Sequence, residues 1–517
     1  MATERRSRLL SSVRRVIRTD PDKVALTEAY TVLNETVVVK ILDLALRIGE
    51  SMFAVGSSAH DVTFAIIRVA RVYGLTGVHV DVNFNAISVS YHRGEDDWPT
   101  TLIRVVRAAS PDHAKLQRLQ ALLVDITDGM DLDEARLAFR VIRRTPFLYR
   151  PIVVIVARAL LAVGVAILYG ASPIIILLSF VAALAAAFTQ AGLARLQVPL
   201  FFSQIAGGFV ITAVTTLVSA LGSAGVAPFV DVQPSIIVAS GIVLMLSGLT
   251  VVGAAQDAID GFALTAGGRI LDLTMQTLGV VLGILIGLEV SRLVGVSIPL
   301  PTDAIPFGSF VAQVGGAIII AVAVALFNGA GLLIIVVSAV LSTIAIIAYS
   351  ATISLGIQPA GASAIGALLA SFIGILTARG VHVPSVAVTT AAIVPLVPGT
   401  AVFRGLLGVV DSDGTAEGML DGIGPLVLAA SIGIGLAAGA SLGLYLGTPL
   451  RATLTSVSKS RARLRPLPRR APRVALLSVP GRGLRQRPAT LLQRGRERDD
   501  RRLTAGSTDQ LHAHRMP

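Results

Sequence analysis

Pro395-Leu396-Val397-Pro398-Gly399 lies a few residues ahead of Arg404 inside an apolar run. Two prolines remove backbone donors and the glycine relaxes the local geometry, so this spacing predicts a helix broken near its middle. The N–H and C=O groups freed at such a break suit a zwitterion. The N-terminal end of the following half-helix faces a carboxylate, and the upstream carbonyls face an ammonium. Arg404 adds a fixed positive charge for the carboxylate, which makes Pro395, Pro398, Gly399, Thr400 and Arg404 binding candidates. The plainer alternative is a kinked helix whose Arg404 snorkels to the surface.

A second stretch runs from Ser247-Gly248-Leu249-Thr250 to Gln256-Asp257-Ala258-Ile259-Asp260-Gly261. Gly248, Thr250 and Gln256 extend the binding set. Asp257 and Asp260, three residues apart, fall on one helical face. A carboxylate in a poorly hydrated vestibule holds a proton more readily, so these two are the candidates for proton coupling. The alternatives are a solvated loop whose acids cap a helix opening toward Arg269, and a re-entrant loop over residues 253–268. Gln204, Asp272, Gln276, Glu289, Gln313 and Asn328 also lie in apolar surroundings and read as packing, interface or boundary residues.

Ser57, Ser58, His60, Asp61, His79 and Asp81 supply the residue types of a hydrolase without its spacing. There is no Gly-x-Ser-x-Gly elbow and no His-Glu-x-x-His motif, and Asp61 reads as a helix cap. No Walker A motif is present, so the chain is not an ATPase on its own. The 517 residues include no cysteine, which excludes a disulfide framework, a thiolate metal site and a thiol nucleophile. No metal site or cofactor is expected.

The elements that position these residues follow from composition. Hydrophobic residues make up 53% of the chain and charged residues 15%, the balance of a polytopic membrane protein. The net charge of +12 belongs to the end of the chain, because residues 451–517 hold 17 Lys/Arg against 4 Asp/Glu, whereas residues 1–450 hold 27 against 28. That balance leaves no basic surface for nucleic acid. Residues 1–36 form an extension and 37–150 a small cytosolic α+β domain. In that domain helical spacing over 37–55, 62–72, 115–124 and 133–142 surrounds a hairpin at Val78–Val82 and Ala86–Tyr91, with a third strand over 101–106. Residues 451–517, rich in Arg, Pro and Ser, read as a disordered basic tail.

Residues 151–450 divide into ten α-helical spans, at about 152–169, 173–194, 200–222, 234–253, 270–290, 307–327, 330–349, 355–377, 382–408 and 422–446. With both termini in the cytoplasm, Arg195, Arg269, Arg379 and Arg451 fall at cytoplasmic ends, while Asp231 and the Asp411/Asp413/Glu417/Asp421 loop fall outside. Five spans per half, 151–297 and 298–450, would make the second half inverted relative to the first. A shift of 150 residues lays Pro234-Ser235-Ile236-Ile237-Val238 onto Pro384-Ser385-Val386-Ala387-Val388, as such a duplication requires, although apolar helices also match by chance.

Several stretches together resemble the threonine/serine exporter family of bacterial inner-membrane transporters. They are Leu46-Arg47-Ile48-Gly49-Glu50 with Val55-Gly56-Ser57-Ser58, Tyr73-Gly74-Leu75, His79-Val80-Asp81-Val82, Ala206-Gly207-Gly208-Phe209, Ala239-Ser240-Gly241 through Asp260-Gly261, and Pro395 through Gly405. The resemblance covers about residues 40–450. It implies a cytosolic N-terminal domain, two five-span halves, and export of L-threonine and L-serine driven by the proton gradient. The expected partners are the amino-acid substrate, protons and membrane lipids, and the sequence leaves room for a homo-oligomer. The alternatives are an exporter of another small polar metabolite and a membrane-anchored sensor or hydrolase.

Overall fold

Period-two alternation builds the sheet that the sequence predicts. In the computed structural model, β1 (Val78–Asn83), β2 (Ala86–Tyr91) and β3 (Thr100–Val105) form an antiparallel sheet of order β1-β2-β3, with Val82 opposite Ile87 and Val89 opposite Leu102. The structure describes residues 35–463 except 94–97, 107–109, 231, 246–247, 297, 299–305, 379–382 and 411–415. The N-terminal extension before Glu35, Asp231, Arg379, His382, Asp411, Asp413 and the tail beyond Arg463 therefore lie outside the described residues.

Helices α1 (Glu35–Ala54) and α2 (Ala59–Val72) bury Ile41, Leu42, Ile48 and Ile66 against Ile87 and Val89 of the sheet. Arg104 on β3 donates to Asp43 at 3.0 Å and Glu50 at 3.1 Å, which ties the sheet to α1. Ser58 caps α2 by accepting the Asp61 N–H at 3.1 Å. The cap is thus Ser58 and not Asp61, whose position in the first turn lets its charge favour the helix N-terminus. Helices α3 (His113–Thr127) and α4 (Leu132–Arg144) complete this N-terminal unit.

Among the described residues, eight helices are long and apolar enough to cross a membrane. These are α5 (Pro151–Leu168), α6 (Pro173–Arg195), α7 (Leu200–Ser223), α10 (Ala263–Leu293), α11 (Phe310–Phe327), α12 (Leu332–Ser354), α13 (Pro359–Ala378) and the apolar stretch of α16 (Ala416–Arg463). A bent pair, α14 (Ser385–Ile393) and α15 (Gly399–Val410), is joined through a 3-10 turn at Val394–Leu396 and bent by 54°, and makes a ninth when the pair is counted as one span. The break falls where Pro395, Pro398 and Gly399 predict it.

In the remaining apolar segment, where a span is expected over 234–253, α8 (Pro234–Met245) and α9 (Gly248–Ile259) are described on either side of residues 246–247. Helix α9 and the early start of α10 also make most of 253–268 helical, where a loop or re-entrant segment is the expectation. Only the turn around Gly261 interrupts it: Gly261 adopts φ +89°, and the Phe262 N–H returns to the Asp257 carbonyl at 2.7 Å, a helix stop that favours glycine. At the other end, the apolar stretch of α16 closes at Gly447, next to the expected end of the last span, while the helix itself runs on to Arg463 into the segment read as a disordered tail.

Small residues set how closely the helices pack. A methyl group added at Gly279 or Gly283 on α10 would stand 2.8 or 2.1 Å from the carbonyl oxygens of Phe201 or Ile205 on α7. Gly435, Gly439 and Gly443 on α16 repeat this against Ala360, Ala364 and Leu368 on α13, at 2.5, 2.0 and 2.5 Å. Helices α5 and α11 cross antiparallel, with Gly164 against Gly316 and Gly170 against Gly308. Backbones approach this closely only where no side chain intervenes.

Candidate functional site

The N-terminal unit meets the helix bundle at two places. At the first, Thr265 at the start of α10 accepts the Phe84 N–H from the β1–β2 turn at 3.0 Å and donates to the Val82 carbonyl at 3.0 Å. Beside it the Ala59 N–H, at the start of α2, donates to Asp257 at 3.4 Å. At the second, the His113 N–H donates to the Asn328 carbonyl at 2.8 Å between α11 and α12. Between these contacts lies a cavity of about 1620 Å³, walled by both the N-terminal unit and the bundle.

This cavity reaches the helix break. Val397 and Gly399 line it at the α14–α15 break, and Met245 on α8 and Thr250 on α9 lie on the same wall. Of the residues singled out in sequence, Thr250, Gln256, Gly399 and Asp260 are on the wall, as are Asp272 and Gln276. Pro395 and Pro398 are buried in the break behind it. Gly248 opens α9. Thr400 and Arg404 lie in the first turns of α15, outside the cavity wall, where the Tyr169 hydroxyl at the end of α5 interacts with Thr400 and feels the Arg404 charge. The Arg404 Nε is buried with no hydrogen-bond partner among the described residues.

The two acids near the α9–α10 turn have different surroundings, although their spacing suggests a shared face. Asp257 is fully buried and pairs with Arg269 on α10 at 2.9 Å, an ion pair without the alignment of a directed hydrogen bond. Asp260 lies past the end of α9, is exposed, and borders the cavity. Partial burial raises its pKa above the ordinary carboxylate value, and the nearby charge on Asp61 adds to this while His60 opposes it. The Asp61 carboxylate, 4.0 Å from His60 Nδ1, raises the His60 pKa, with a further contribution from Asp260.

Other candidates take structural roles. Glu289 pairs with Arg292 at 2.7 Å on an exposed helix end. Gln313 accepts from Ser350 at 2.7 Å and joins α11 to α12. His79 and Asp81 are exposed on β1, away from His60 and Asp61 on α2. Among the described residues no group of three or more acidic, histidine or cysteine side chains is placed to hold a metal ion.

Two features escape the sequence reading. Gln204 on α7 accepts from Gln190 on α6 at 3.0 Å and donates to the Met245 carbonyl at 3.3 Å, so it links α6, α7 and α8. Its burial in an apolar span is the available signal. Arg158, seven residues into α5, lines the same cavity beside Phe327. Nothing in its spacing along α5 singles it out.

The architecture is matched by known proteins. The family model described as "Putative threonine/serine exporter" matches residues 43–291, and the one described as "Threonine/Serine exporter, ThrE" matches residues 307–442. The chain is 34% identical over 423 residues to the "Probable threonine/serine exporter" of Mycobacterium tuberculosis, covering 80% of this chain and 77% of that protein. It is 30% identical over 420 residues to the "Threonine/serine exporter" of Corynebacterium glutamicum, covering 80% of this chain and 84% of that one. No solved structure matches the chain. With two family models spanning N-terminal unit and bundle, and relatives aligned over most of their length, the chain belongs to the threonine/serine exporter family of multi-pass membrane proteins.

Proposed function

We propose that this protein is a proton-driven secondary transporter, and not an enzyme, that exports L-threonine and L-serine across the bacterial cytoplasmic membrane. Both termini and the N-terminal unit lie in the cytoplasm, and the cavity is the cytoplasmic vestibule. The observation that carries this reading is the cavity that touches a broken helix at Val397 and Gly399, with Thr250 and Gln256 on the same wall. Broken helices place backbone dipoles where a small zwitterion can be held in an otherwise apolar bundle. The relatives' names supply the substrate class.

Residues 151–297 and 298–450 are read as inverted halves that alternate access. Both halves carry a glycine ridge from the fifth span onto the third, and their first spans cross antiparallel, which supports the duplication. Arg404 and Thr400 wait beyond the α14–α15 break to take the substrate as the half-helices move. Asp260 is the better placed of the two acids to exchange a proton, since it borders the vestibule, whereas Asp257 is held by Arg269.

Uptake of labelled threonine and serine into inverted vesicles, with and without an imposed proton gradient, tests the reading. Accumulation that requires the gradient and the intact protein is expected. Accumulation indifferent to the gradient overturns the coupling, and none at all overturns the substrate assignment.

A further inference from the structure

A guanidinium inside an apolar helix is costly unless it meets a partner or water. Arg158 lies seven residues beyond Pro151, roughly 10 Å along α5. Its side chain borders the cavity, with its Cζ 6.0 Å from the centre of the Phe327 ring on α11. Among the described residues, no carboxylate lies within 4.0 Å of it, in contrast to every other cation of the cavity wall that pairs with an acid. Arg269 is held by Asp257 and His60 stands against Asp61, while His113 is buried and neutral. Arg158 is therefore a fixed positive charge facing the cavity with its donors uncommitted to any acid.

We propose that Arg158 is a binding residue for the α-carboxylate of the amino-acid substrate in the vestibule, upstream of the α14–α15 break. This rests on the transport reading above. A planar guanidinium matches a carboxylate with two parallel N–H donors, and the low-dielectric wall around it strengthens that pairing. The acids Asp260 and Asp272 on the same wall supply the opposite charge for an ammonium group. Arg404 serves a different stage. Its charge acts on Tyr169, which follows Arg158 by eleven residues, a rise of roughly 16 Å along the helix. The substrate's carboxylate passes from one arginine to the other as the α14–α15 break rearranges.

The test is equilibrium binding of labelled L-threonine to the purified full-length protein, with L-threoninamide, which lacks the carboxylate charge, as competitor. The wild-type protein should prefer threonine over the amide. Arg158→Gln should weaken threonine binding at least tenfold while changing amide binding less than twofold, and Arg158→Lys should recover part of the loss. Amide binding that persists in Arg158→Gln also reports that the variant is folded. Threonine binding by Arg158→Gln within twofold of wild type, or an equal loss of both ligands, overturns the proposal, the first pointing to a headgroup contact and the second to an architectural role. Failure of the wild-type protein to bind threonine counts instead against the transport reading.

Discussion

Asp257 and Arg269 close an ion pair of 2.9 Å across the α9–α10 turn, with the carboxylate fully buried and also receiving the Ala59 N–H of the N-terminal unit. The guanidinium lies over Phe53 of α1 at 5.5 Å, so the pair is a tether between unit and bundle. Removing one member leaves the other uncompensated, at a cost of roughly 3 kcal/mol for a buried pair. Asp257→Asn and Arg269→Gln should each lower the thermal stability of the purified protein, and the double variant should recover much of the loss because neither charge is then stranded. Additive losses in the double variant would remove the tether role.

Asp260 separates coupling from tethering. Asp260→Asn fixes the group neutral, so gradient-driven export should stop while thermal stability stays near wild type. Threonine exchange at equal gradients should survive only if the substrate reorients the carrier without proton release. Gradient-driven export that persists in Asp260→Asn, in Asp257→Asn and in the double variant leaves Asp272, also on the cavity wall, as the next acid to test.

Arg404→Ala should reduce export by roughly thirtyfold at normal membrane abundance. Losing a hydrogen bond to a charged group costs about 2 kcal/mol. Lys should rescue partly, since it keeps the charge and lacks the bidentate fork. Normal export by Arg404→Ala would eliminate the carboxylate role.

How much of this was legible in sequence depends on how local each signal is. The α14–α15 break is written in Pro395, Pro398 and Gly399, because proline acts on its own backbone whatever surrounds it. The link from Gln190 through Gln204 to the Met245 carbonyl joins three helices, and no spacing along one of them encodes it. The spacing of Asp257 and Asp260 cannot encode that Arg269 and the Ala59 N–H enclose the first while the second borders the cavity. Arg158 went unread because what distinguishes it is the cavity it faces, which no spacing along α5 encodes.

Acidity should loosen the junction through His113. Burial holds its imidazole neutral and lowers its pKa from 6.5 to about 4, and its Nδ1 has no partner among the described residues. An unfolded chain takes up the proton first, so the stability present above pH 6.5 is lost as pH falls toward 4, by about 3 kcal/mol in total. His113→Leu should flatten that part of the stability profile. An unchanged slope between pH 6.5 and 4 would place the acid sensitivity elsewhere.

Helix packing offers an independent check. Gly283→Ala places a methyl 2.1 Å from the Ile205 carbonyl and should destabilise by about 2 kcal/mol or more, as overpacking does. Gly267→Ala, with nothing within 4 Å of the added methyl, should be neutral or stabilising by about 0.5 kcal/mol. Equal melting temperatures for the two variants would contradict the close α7–α10 approach.

The absence of cysteine from all 517 residues allows the transport path to be probed with a single introduced thiol. Val397→Cys places it where the cavity meets the α14–α15 break, and a membrane-impermeant maleimide added to inverted vesicles reports access from the cytoplasmic face. The account predicts that Val397→Cys is labelled from that face and that saturating L-threonine slows labelling at least fivefold, while an equal concentration of L-lysine does not. Labelling that proceeds at the same rate with and without threonine, or only from the opposite face, would contradict the claim that the cavity carries the substrate to the broken helix.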